Sequence, residues 1–257
     1  MSWRSTWWRI RTSNLLPMSE SLCVIVPSRG RPAGVAALRR AWTETDAVAH
    51  LTVAVDRDDP ECGAYLAVGG DIVLGARLRM AGTLNKVALE RATRYRYIGF
   101  MGDDHRPRSA GWDDEIRETL QEMGTGIVYG DDLLQGKKLP TAVFMTSNII
   151  RALGYMALPG LIHLYLDNFW LDLGTTADVL RYLPDVVIEH MHPTNGKAPM
   201  DAGYAEVNDP AMYAADAETY VTYRRSRRFG ADVDKVRALA NVRVPLSLDI
   251  SERWYPR

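Results

Sequence analysis

The stretch YIGFMGDDHRP, at residues 97–107, decides the fold that the sequence predicts. It starts as an apolar run of buried-strand length and ends abruptly in Asp103, Asp104 and His105. A buried strand that carries two carboxylates and an imidazole to its exposed end gathers ligands suited to a hard divalent cation. The stretch therefore predicts a strand with a metal site at its carboxyl end.

Further apolar runs precede this strand, and helical segments separate them. Runs of strand length lie at residues 22–27, 51–55 and 71–74, with helices expected at 35–42 and 84–93. This alternation predicts an α/β fold with a Rossmann-like, mostly parallel sheet flanked by helices. Ligands bind beyond the carboxyl ends of the strands in such sheets. Polar clusters at 28–31, 56–59 and 103–105 follow strands, so we expect them to share one site.

The second half of the sequence predicts a less regular set of elements. Helices are expected at residues 112–123, 147–153, 163–173 and 210–228, and strands at residues 126–129, 141–145 and 186–190. Because no internal repeat or low-complexity linker divides the chain, we expect one domain over residues 18–200. Residues 201–257 are expected to form a C-terminal helical tail packed on this core, and residues 1–17 a disordered extension.

Composition limits the classes of protein to consider. The chain has 257 residues and a formal net charge of -1, which gives no global field for nucleic acid. The basic run at residues 224–228 is expected to be a solvated helix end rather than a site for nucleic acid or anionic lipid. No apolar stretch approaches the roughly 20 residues that span a bilayer. Cys23 and Cys62 match no metal-ligand spacing, so we expect thiols of a reducing compartment. Together with the lack of a spanning stretch, this predicts a soluble cytoplasmic protein without stable membrane insertion.

Three motifs, in this order, resemble the GT-A fold of nucleotide-sugar glycosyltransferases, and family-2-like members in particular. They are VPSRGRP at residues 26–32, VD at residues 55–56 and GDDH at residues 102–105. The resemblance covers residues 21–192 and implies that the first loop and Asp56 hold the nucleoside of the donor. The loop residues to which it gives this role are Pro27, Ser28, Arg29 and Arg31.

The same resemblance implies a metal-binding D-x-D or D-x-H motif. Asp103 and His105 would be the D-x-H pair for Mn²⁺ or Mg²⁺, with Asp104 touching ribose or metal. The cation would act as a Lewis acid on the departing phosphate. GT-A enzymes often take a further ligand from a distant histidine, a role that His190 and His192 are placed to fill. The alternative is an ordinary core or strand-end histidine that binds no metal.

Two further segments resemble donor contacts of this family. TNGK, at residues 194–197, is similar to a mobile loop that closes over a diphosphate, with Lys197 supplying a cation. Asn85 and Lys86 occupy a helix start where GT-A enzymes contact the nucleotide. Ordinary helix capping with a solvated lysine explains this second pair equally well.

The segment HLYLDNFW, at residues 163–170, resembles the acceptor-side segment in which inverting GT-A enzymes place a base. Asp167 is expected to accept the proton of the acceptor hydroxyl, with Asp172 in reserve. A helix N-terminal or surface acid is the alternative. The usual Glu-Asp dipeptide is absent, and D-x-H pairs also occur in retaining enzymes. Inversion is therefore the preferred outcome and retention stays open.

Four more residues are expected on the acceptor side. Trp112 and Trp170 would stack on a sugar ring, although large aromatic residues more often belong to a core. Asp131 and Asp132, in YGDD at residues 129–132, would line the acceptor pocket. The same four letters occur in viral RNA-dependent polymerases, but the preceding strand-helix alternation and the absence of a basic template channel argue against that class.

The sequence thus predicts a metal-dependent glycosyltransferase. It would move a sugar from a nucleoside-diphosphate-sugar donor to a hydroxyl of a glycan, protein or small-molecule acceptor. A nucleotidyltransferase is the alternative enzyme and would release pyrophosphate instead of a nucleoside diphosphate. A non-catalytic sugar- or nucleotide-binding module would bind the donor without turnover. No nucleic-acid partner is expected, and homo-oligomer formation is left open.

Overall fold

The computed structural model describes residues 8–11 and 22–241, and within these ranges strands and helices build an α/β structure. The strands are β1 (Trp8–Arg11), β2 (Leu22–Ser28), β3 (His50–Asp56), β4 (Asp71–Gly75), β5 (Tyr97–Phe100), β6 (His105–Pro107), β7 (Ile127–Asp131), β8 (Val143–Thr146) and β9 (Leu180–His190). The helices are α1 (Pro32–Glu44), α2 (Cys62–Val68), α3 (Arg79–Arg91), α4 (Trp112–Met123), α5 (Ser147–Leu153), α6 (Leu166–Ala177), α7 (Ala202–Val207), α8 (Pro210–Arg225) and α9 (Arg227–Asn241). No helix in these ranges is long and apolar enough to cross a bilayer.

The described strands form one mixed sheet in the order β1-β4-β3-β2-β5-β8-β7-β9-β6. Strands β4, β3, β2 and β5 are parallel neighbours. β8 is antiparallel to both β5 and β7, so β7 runs in the direction of β5, and β9 pairs in parallel with β7. The edge strands β1 and β6 are antiparallel to their neighbours. The prediction of a mostly parallel sheet flanked by helices is therefore confirmed.

Strand β2 shows why helices cover both faces of the sheet. All of its residues are buried. Cys23 and Ile25 join one core with side chains of α3, α5, α6 and α9, whereas Leu22, Val24 and Val26 join a second core with α1 and α4. Successive side chains of a strand point to opposite faces. An uninterrupted apolar run is consequently stable only between two helical layers.

Several element boundaries differ from the predicted ones. Helix α6 begins at Leu166 instead of residue 163, because Tyr165 has a left-handed backbone (φ 64°) that a right-handed helix does not include. α3 begins at Arg79 and β9 at Leu180, both earlier than predicted. The helix predicted at residues 210–228 breaks at Ser226, whose backbone is extended, so α8 and α9 are separate helices.

Among the elements near the cleft, β6 and α7 were not predicted, and α2 was not predicted either. β6 has three residues and ends in a proline, and α7 has six residues, so neither carries a readable periodicity. β6 exists because it pairs with the end of β9, which sets His105 opposite His190. Elements of this length are stabilised by their tertiary partners rather than by their own sequence.

The predicted extension, residues 1–17, lies outside the described residues except for β1, whose backbone pairs with β4. Within the predicted tail, α9 contributes Phe229, Val233 and Val236 to the core that also holds Phe169 of α6. α7 instead lies at the mouth of the central cleft. Residues 242–257 are outside the described part of the chain.

Candidate active site

A cleft of about 630 Å³ opens at the carboxyl ends of β2, β3 and β5. Its walls come from the loop after β2, from the strand ends, from residues 163–167 and from α7. The predicted site residues in its lining are Pro27, Ser28, Arg29, Arg31, Asp56, Asp103, Asp104, Asp167, Trp170, His190 and His192. Motifs that are far apart in the chain meet here because parallel strands end at the same edge of the sheet.

Asp103 is held by the first loop. Ser28 Oγ donates to Asp103 Oδ2 at 2.5 Å and accepts a hydrogen bond from the Tyr65 hydroxyl at 2.7 Å. Arg31 Nη1 lies 3.4 Å from Asp103 Oδ1. Helix α1 comes so close that a Cβ on Gly34 would lie 3.0 Å from the Asp103 carbonyl oxygen. Burial, followed by the charge of Asp104, raises the pKa of Asp103 to about 6.

Asp56 ends β3 beside the same loop. Arg29 Nη1 donates to Asp56 Oδ2 at 3.1 Å and to Asp58 Oδ1 at 2.7 Å. Burial raises the pKa of Asp56, although the Arg29 charge opposes this effect. Gly30 has φ +68°, which turns the loop so that its N–H donates to Asp59 Oδ2 at 2.7 Å. The loop and Asp56 together form a polar shelf at one end of the cleft.

Two histidines and a carboxylate meet at the other side of Asp103. The rings of His105 and His190 stack with centroids 4.3 Å apart. Asp104 Oδ1 lies 3.2 Å from His105 Nδ1, and Asp104 Oδ2 lies 3.5 Å from His190 Nε2. One ligand atom from each of the three residues falls within 4.8 Å of the others. The His192 ring packs against His190 with centroids 5.1 Å apart.

This cluster fits a divalent cation. His190 Nδ1 is buried, and no hydrogen-bond partner for it lies among the described residues. Carboxylates suit Mg²⁺ and Mn²⁺, and imidazole is a common additional ligand of transition metals. A cation about 2.1 Å from each ligand lies between ligand atoms up to about 4.2 Å apart, and the Asp104 oxygens are 3.2 Å and 3.5 Å from ring nitrogens of His105 and His190. Asp104 therefore joins the histidines in this structure, whereas Asp103 of the predicted D-x-H pair contacts Ser28 and Arg31.

The pKa shifts of Asp104 and His105 favour the protonation states that metal ligands need. Burial opposes ionisation of Asp104, but hydrogen bonds from His105 and His190 hold its pKa well below the usual range. Burial, together with the neighbouring His190, lowers the pKa of His105. Burial also lowers the pKa of His192. Metal ligands must be ionised carboxylates and neutral imidazoles, and these shifts favour both forms.

The opposite wall carries Asp167 and Trp170. Asp167 lies in the first turn of α6, where its Oδ1 accepts the Asn168 N–H at 2.8 Å. Burial raises the pKa of Asp167. Trp170 is 1% exposed, and its Nε1 donates to the Met156 carbonyl at 2.7 Å. Its ring is thus part of the wall and offers little surface on which a sugar could stack.

Other predicted site residues lie outside this lining. They are Asn85, Lys86, His105, Trp112, Asp131, Asp132, Asp172 and Lys197. Of these, His105 is buried and belongs, with Asp104 and His190, to the cluster that fits a cation. Asp172 pairs with Arg224 and Tyr220 of α8, and Lys197 Nζ donates to Glu189 Oε1 at 2.5 Å. Lys86 is exposed on α3.

Three of these residues have structural roles. Asn85 Oδ1 accepts the N–H groups of Met156 and Ala157, which ties α3 to that segment. Trp112 is fully buried in the core with α1 and donates to Thr45 Oγ1 at 3.2 Å. Asp132 Oδ1 accepts the backbone N–H groups of residues 134, 135 and 136. Their partners are protein groups, which explains their residue types without a ligand.

Sequence reasoning missed several residues that line the cleft. They are Arg77, Arg79, His163, Asp201, Tyr204 and Glu206. Arg77 and Arg79 follow the carboxyl end of β4, so the rule that ligands bind beyond strand ends could have found them. Burial lowers the pKa of His163 to about 4, so its imidazole is neutral at neutral pH. The three residues of the 201–206 segment had no sequence signal, because α7 is too short to show a period.

Helix α7 closes one side of the mouth through charged contacts. Arg31 donates to both oxygens of Asp201, the residue before α7. The Tyr204 hydroxyl donates to Asp104 Oδ2 at 2.7 Å. Glu206 accepts from Arg77 at 2.9 Å and also pairs with Arg79. α7 and the residue before it thus contact the cationic groups of three arginines and one carboxylate oxygen of Asp104.

Comparisons with known proteins agree on the fold. No family model matches the sequence, and curated proteins give no significant match. A mannosyltransferase from Pyrobaculum calidifontis, solved with GDP-Man and Mn²⁺, has a TM-score of 0.56 at 13% identity over 85% of this chain and 69% of that chain. Glucosyl-3-phosphoglycerate synthase from Mycobacterium tuberculosis, solved with Mn²⁺, UDP and phosphoglyceric acid, has a TM-score of 0.55 at 14% identity over 82% and 79%. The same synthase solved with Mg²⁺ and UDP has a TM-score of 0.55 at 15% identity over 79% of this chain and 79% of that chain. These similarities confirm the predicted GT-A fold.

Proposed function

We propose that this GT-A protein is a metal-dependent glycosyltransferase that moves a sugar from a nucleoside-diphosphate-sugar donor to a hydroxyl acceptor. The observation that carries the proposal is the meeting of Asp104, His190 and Arg31 in one cleft at the strand ends. A carboxylate and an imidazole suit a cation, and a guanidinium suits a phosphate, so the cleft can take a metal-bound diphosphate. Proteins of similar fold were solved with GDP-Man or UDP together with Mn²⁺.

The donor would lie across the first loop. Ser28, Arg29 and Asp56 would contact the nucleoside, in the polar shelf at the end of β2 and β3. Arg31, Arg77 and Arg79 would bind the diphosphate, because the planar guanidinium fork matches phosphate oxygens. The cationic groups of these three arginines contact Asp201 and Glu206 in the structure. Donor phosphates and the carboxylates of Asp201 and Glu206 are therefore alternative partners, and we expect α7 to move when the donor binds.

Asp104, His105 and His190 would hold Mn²⁺ or Mg²⁺, with Asp103 and His192 beside them. When bound, the cation supplies Lewis-acid stabilisation to the departing nucleoside diphosphate. The Tyr204 hydroxyl donates to Asp104 Oδ2, which is also an oxygen that a cation needs. Release of Tyr204 would consequently accompany loading of the site. Lys197 would reach the diphosphate only after its ion pair with Glu189 opens.

Asp167 is the proposed base of an inverting reaction. The acceptor oxygen would attack the anomeric carbon while the bond from that carbon to the diphosphate oxygen breaks, and the acceptor proton would pass to the Asp167 carboxylate. Its place in the cleft lining and the pKa raised by burial support this role. A glycan, a protein or a small molecule would supply the hydroxyl. We also propose a cytoplasmic location, because two cysteines without metal-ligand spacing suit a reducing compartment.

A thermal-shift panel tests the proposal. GDP-mannose, UDP-glucose, TDP-glucose and a CMP-sugar are each added with Mn²⁺ or with EDTA. We expect one donor class to raise the melting temperature, and to do so only with Mn²⁺, because a ligand stabilises the folded state that binds it. The stabilising donor is then incubated with the protein, and the released nucleotide is identified.

The released product separates the alternatives. A nucleoside diphosphate would support glycosyl transfer, and the anomeric configuration of the product would distinguish inversion from retention. Pyrophosphate would indicate a nucleotidyltransferase, and binding without release would indicate a sugar- or nucleotide-binding module. If no nucleotide raises the melting temperature in the presence of Mn²⁺, the proposal is wrong.

A further inference from the structure

Helix α8 contacts the loop that forms the acceptor side of the cleft, residues 162–165. Asp216 of α8 is 0% exposed. Its carboxylate accepts the N–H groups of Ile162 at 2.7 Å, His163 at 2.9 Å and Leu164 at 2.7 Å. Burying a carboxylate is costly unless hydrogen bonds satisfy it, and three consecutive backbone amides do so here. One side chain of α8 therefore fixes the backbone of residues 162–164.

Two tyrosines on the same face of α8 hold the next residue of the loop. Tyr213 and Tyr220 lie three residues before and four residues after Asp216, so the three side chains share one helix face. The Tyr220 ring stacks on Tyr165 with centroids 5.3 Å apart, and the Tyr213 ring meets Tyr165 edge-on at 5.6 Å. Tyr165 has φ 64°, a conformation that residues other than glycine seldom adopt. Such a backbone persists where its surroundings hold it.

Tyr165 connects these α8 contacts to the start of α6, which lines the cleft. Tyr165 directly precedes α6, so its backbone sets the direction in which α6 starts. Asp167 lies in the first turn of that helix. The loop is also tied to α3, because the Ile162 carbonyl accepts the Ala81 N–H at 3.3 Å. Side chains of His163, Tyr165 and Asp167 all line the cleft.

We propose that Asp216, with Tyr213 and Tyr220, is a positioning residue for the acceptor side of the site. Asp216 holds residues 162–165 so that the Asp167 carboxylate faces the sugar of the donor. The inference rests on the proposed function. α8 contacts this loop and not the first loop or the metal cluster through these three residues, so their effect falls on turnover and leaves donor binding unchanged.

The test compares Asp216→Asn with Glu218→Gln, a matched neutralisation of an exposed acid two residues along the same helix. Tyr213→Ala is the second variant, because Tyr213 is 53% exposed and its loss leaves the core intact. Three quantities are measured for each: the Kd for UDP or GDP with Mn²⁺, the kcat and KM for hydrolysis of UDP-glucose or GDP-mannose in water, and hydrogen exchange of the amides of residues 162–164.

For Asp216→Asn we expect exchange at residues 162–164 to quicken at least tenfold, kcat to fall at least tenfold, and the Kd and donor KM to stay within twofold. Tyr213→Ala should move kcat in the same direction by a smaller factor, and Glu218→Gln should change nothing. Unchanged exchange, or unchanged kcat with quickened exchange, would overturn the positioning role. A parallel loss of donor binding would also overturn it, because that is the signature of general unfolding. If the wild-type protein neither binds nor hydrolyses a donor, the proposed function fails, and the exchange measurement still decides whether Asp216 orders the loop.

Discussion

Arg31 and Asp201 form an ion pair with two hydrogen bonds across the mouth of the cleft, although 170 residues separate them in the chain. Arg31 Nε donates to Asp201 Oδ2 at 2.8 Å, and Nη2 donates to Oδ1 at 2.6 Å. The guanidinium also lies over the Tyr204 ring, 4.1 Å from its centroid. This fork geometry is the one that a phosphate group would use. The carboxylate of Asp201 therefore occupies the Arg31 guanidinium, which we propose binds the phosphates of the donor.

Replacing Asp201 by asparagine should strengthen donor binding. The change removes the charge that competes for Arg31, while asparagine keeps the N-cap hydrogen bond that Asp201 accepts from the Tyr204 N–H. We expect the Kd for UDP or GDP with Mn²⁺ to fall about threefold to tenfold, about 0.6–1.4 kcal/mol. Isothermal titration calorimetry measures it. Asp209→Asn, which neutralises the N-cap of α8, is the matched control. Weaker binding by Asp201→Asn would show that the ion pair orients Arg31 for the donor instead of competing with it.

Removing one of the proposed metal ligands should abolish the proposed metal-dependent activity. We expect Asp104→Asn and His190→Gln each to lower Mn²⁺ affinity and transfer rate at least 100-fold, because each supplies one of the ligand atoms of the cluster. Asp178→Asn is a suitable control, since Asp178 is exposed at the end of α6 in a left-handed conformation that asparagine tolerates. Mn²⁺ binding by calorimetry and activity in EDTA are the measurements. Full activity in EDTA would rule out the metal role of the cluster.

The pH dependence of turnover should report Asp167. Burial raises its pKa above the usual 3.8, and a protonated carboxyl cannot accept the acceptor proton. Activity should therefore fall as the pH drops through this raised value, so that the acid limb of kcat lies above pH 3.8. Asp167→Asn should keep nucleotide binding and lower kcat by about 10²- to 10⁴-fold. Asp172→Asn is the comparison, because Asp172 pairs with Arg224 outside the cleft lining. Loss of turnover in Asp172→Asn, with turnover retained in Asp167→Asn, would show that Asp167 is not the base.

Asp131 and Asp132 should differ in their effect on stability. Asp132 is 3% exposed and accepts three backbone N–H groups and the Thr141 hydroxyl, whereas Asp131 accepts the N–H of Leu133. We expect Asp132→Ala to lower the free energy of unfolding by about 2–3 kcal/mol and Asp131→Ala by less than about 1 kcal/mol.

The contribution of Asp132 to stability should also depend on pH. Burial opposes ionisation of Asp132, but the hydrogen bonds from Thr141 and the backbone lower its pKa. A lowered pKa stabilises the fold above pH 3.8, and this contribution is lost as the pH falls further. Urea unfolding of both variants at pH 7 and at acid pH measures it. Equal losses for the two variants would contradict the structural role of Asp132.

The sheet could be predicted from the sequence because its strands carry their own signal. β2 is an uninterrupted apolar run, and the polar residues that follow β2, β3 and β5 mark the strand ends. Helices α4 and α5 were predicted with their observed boundaries, since a clear amphipathic period is present. β6 and α7 could not be predicted, because each is held by partners distant in the chain: β9 for β6, and Arg31 with Asp104 for α7.

The part of the candidate site that directly follows strands could also be predicted from the sequence. Residues that directly follow a strand, such as Asp56 and Asp103, lie in the cleft as expected. The resemblance to a D-x-H motif implied Asp103 and His105 as the metal pair, but a sequence motif does not specify the direction of its side chains. Ser28 holds Asp103 towards the first loop, and the pairing of β6 with β9 leaves Asp104 beside the histidines. Trp112 was expected to stack on a sugar and Asn85 to contact the nucleotide, but in the structure both side chains bond to other protein groups.

The sequence by itself determined the layered α/β architecture, since buried strands and amphipathic helices are encoded by local periods of hydrophobicity. It also determined which polar clusters lie at the carboxyl edge of the sheet, because that follows from strand direction. Tertiary structure alone decided which atoms meet there. His105 faces His190 through strand register, Arg31 reaches Asp201 across the mouth, and Asp216 holds residues 162–164 from α8. Such contacts depend on the three-dimensional packing of distant segments, and no local pattern of residues encodes them.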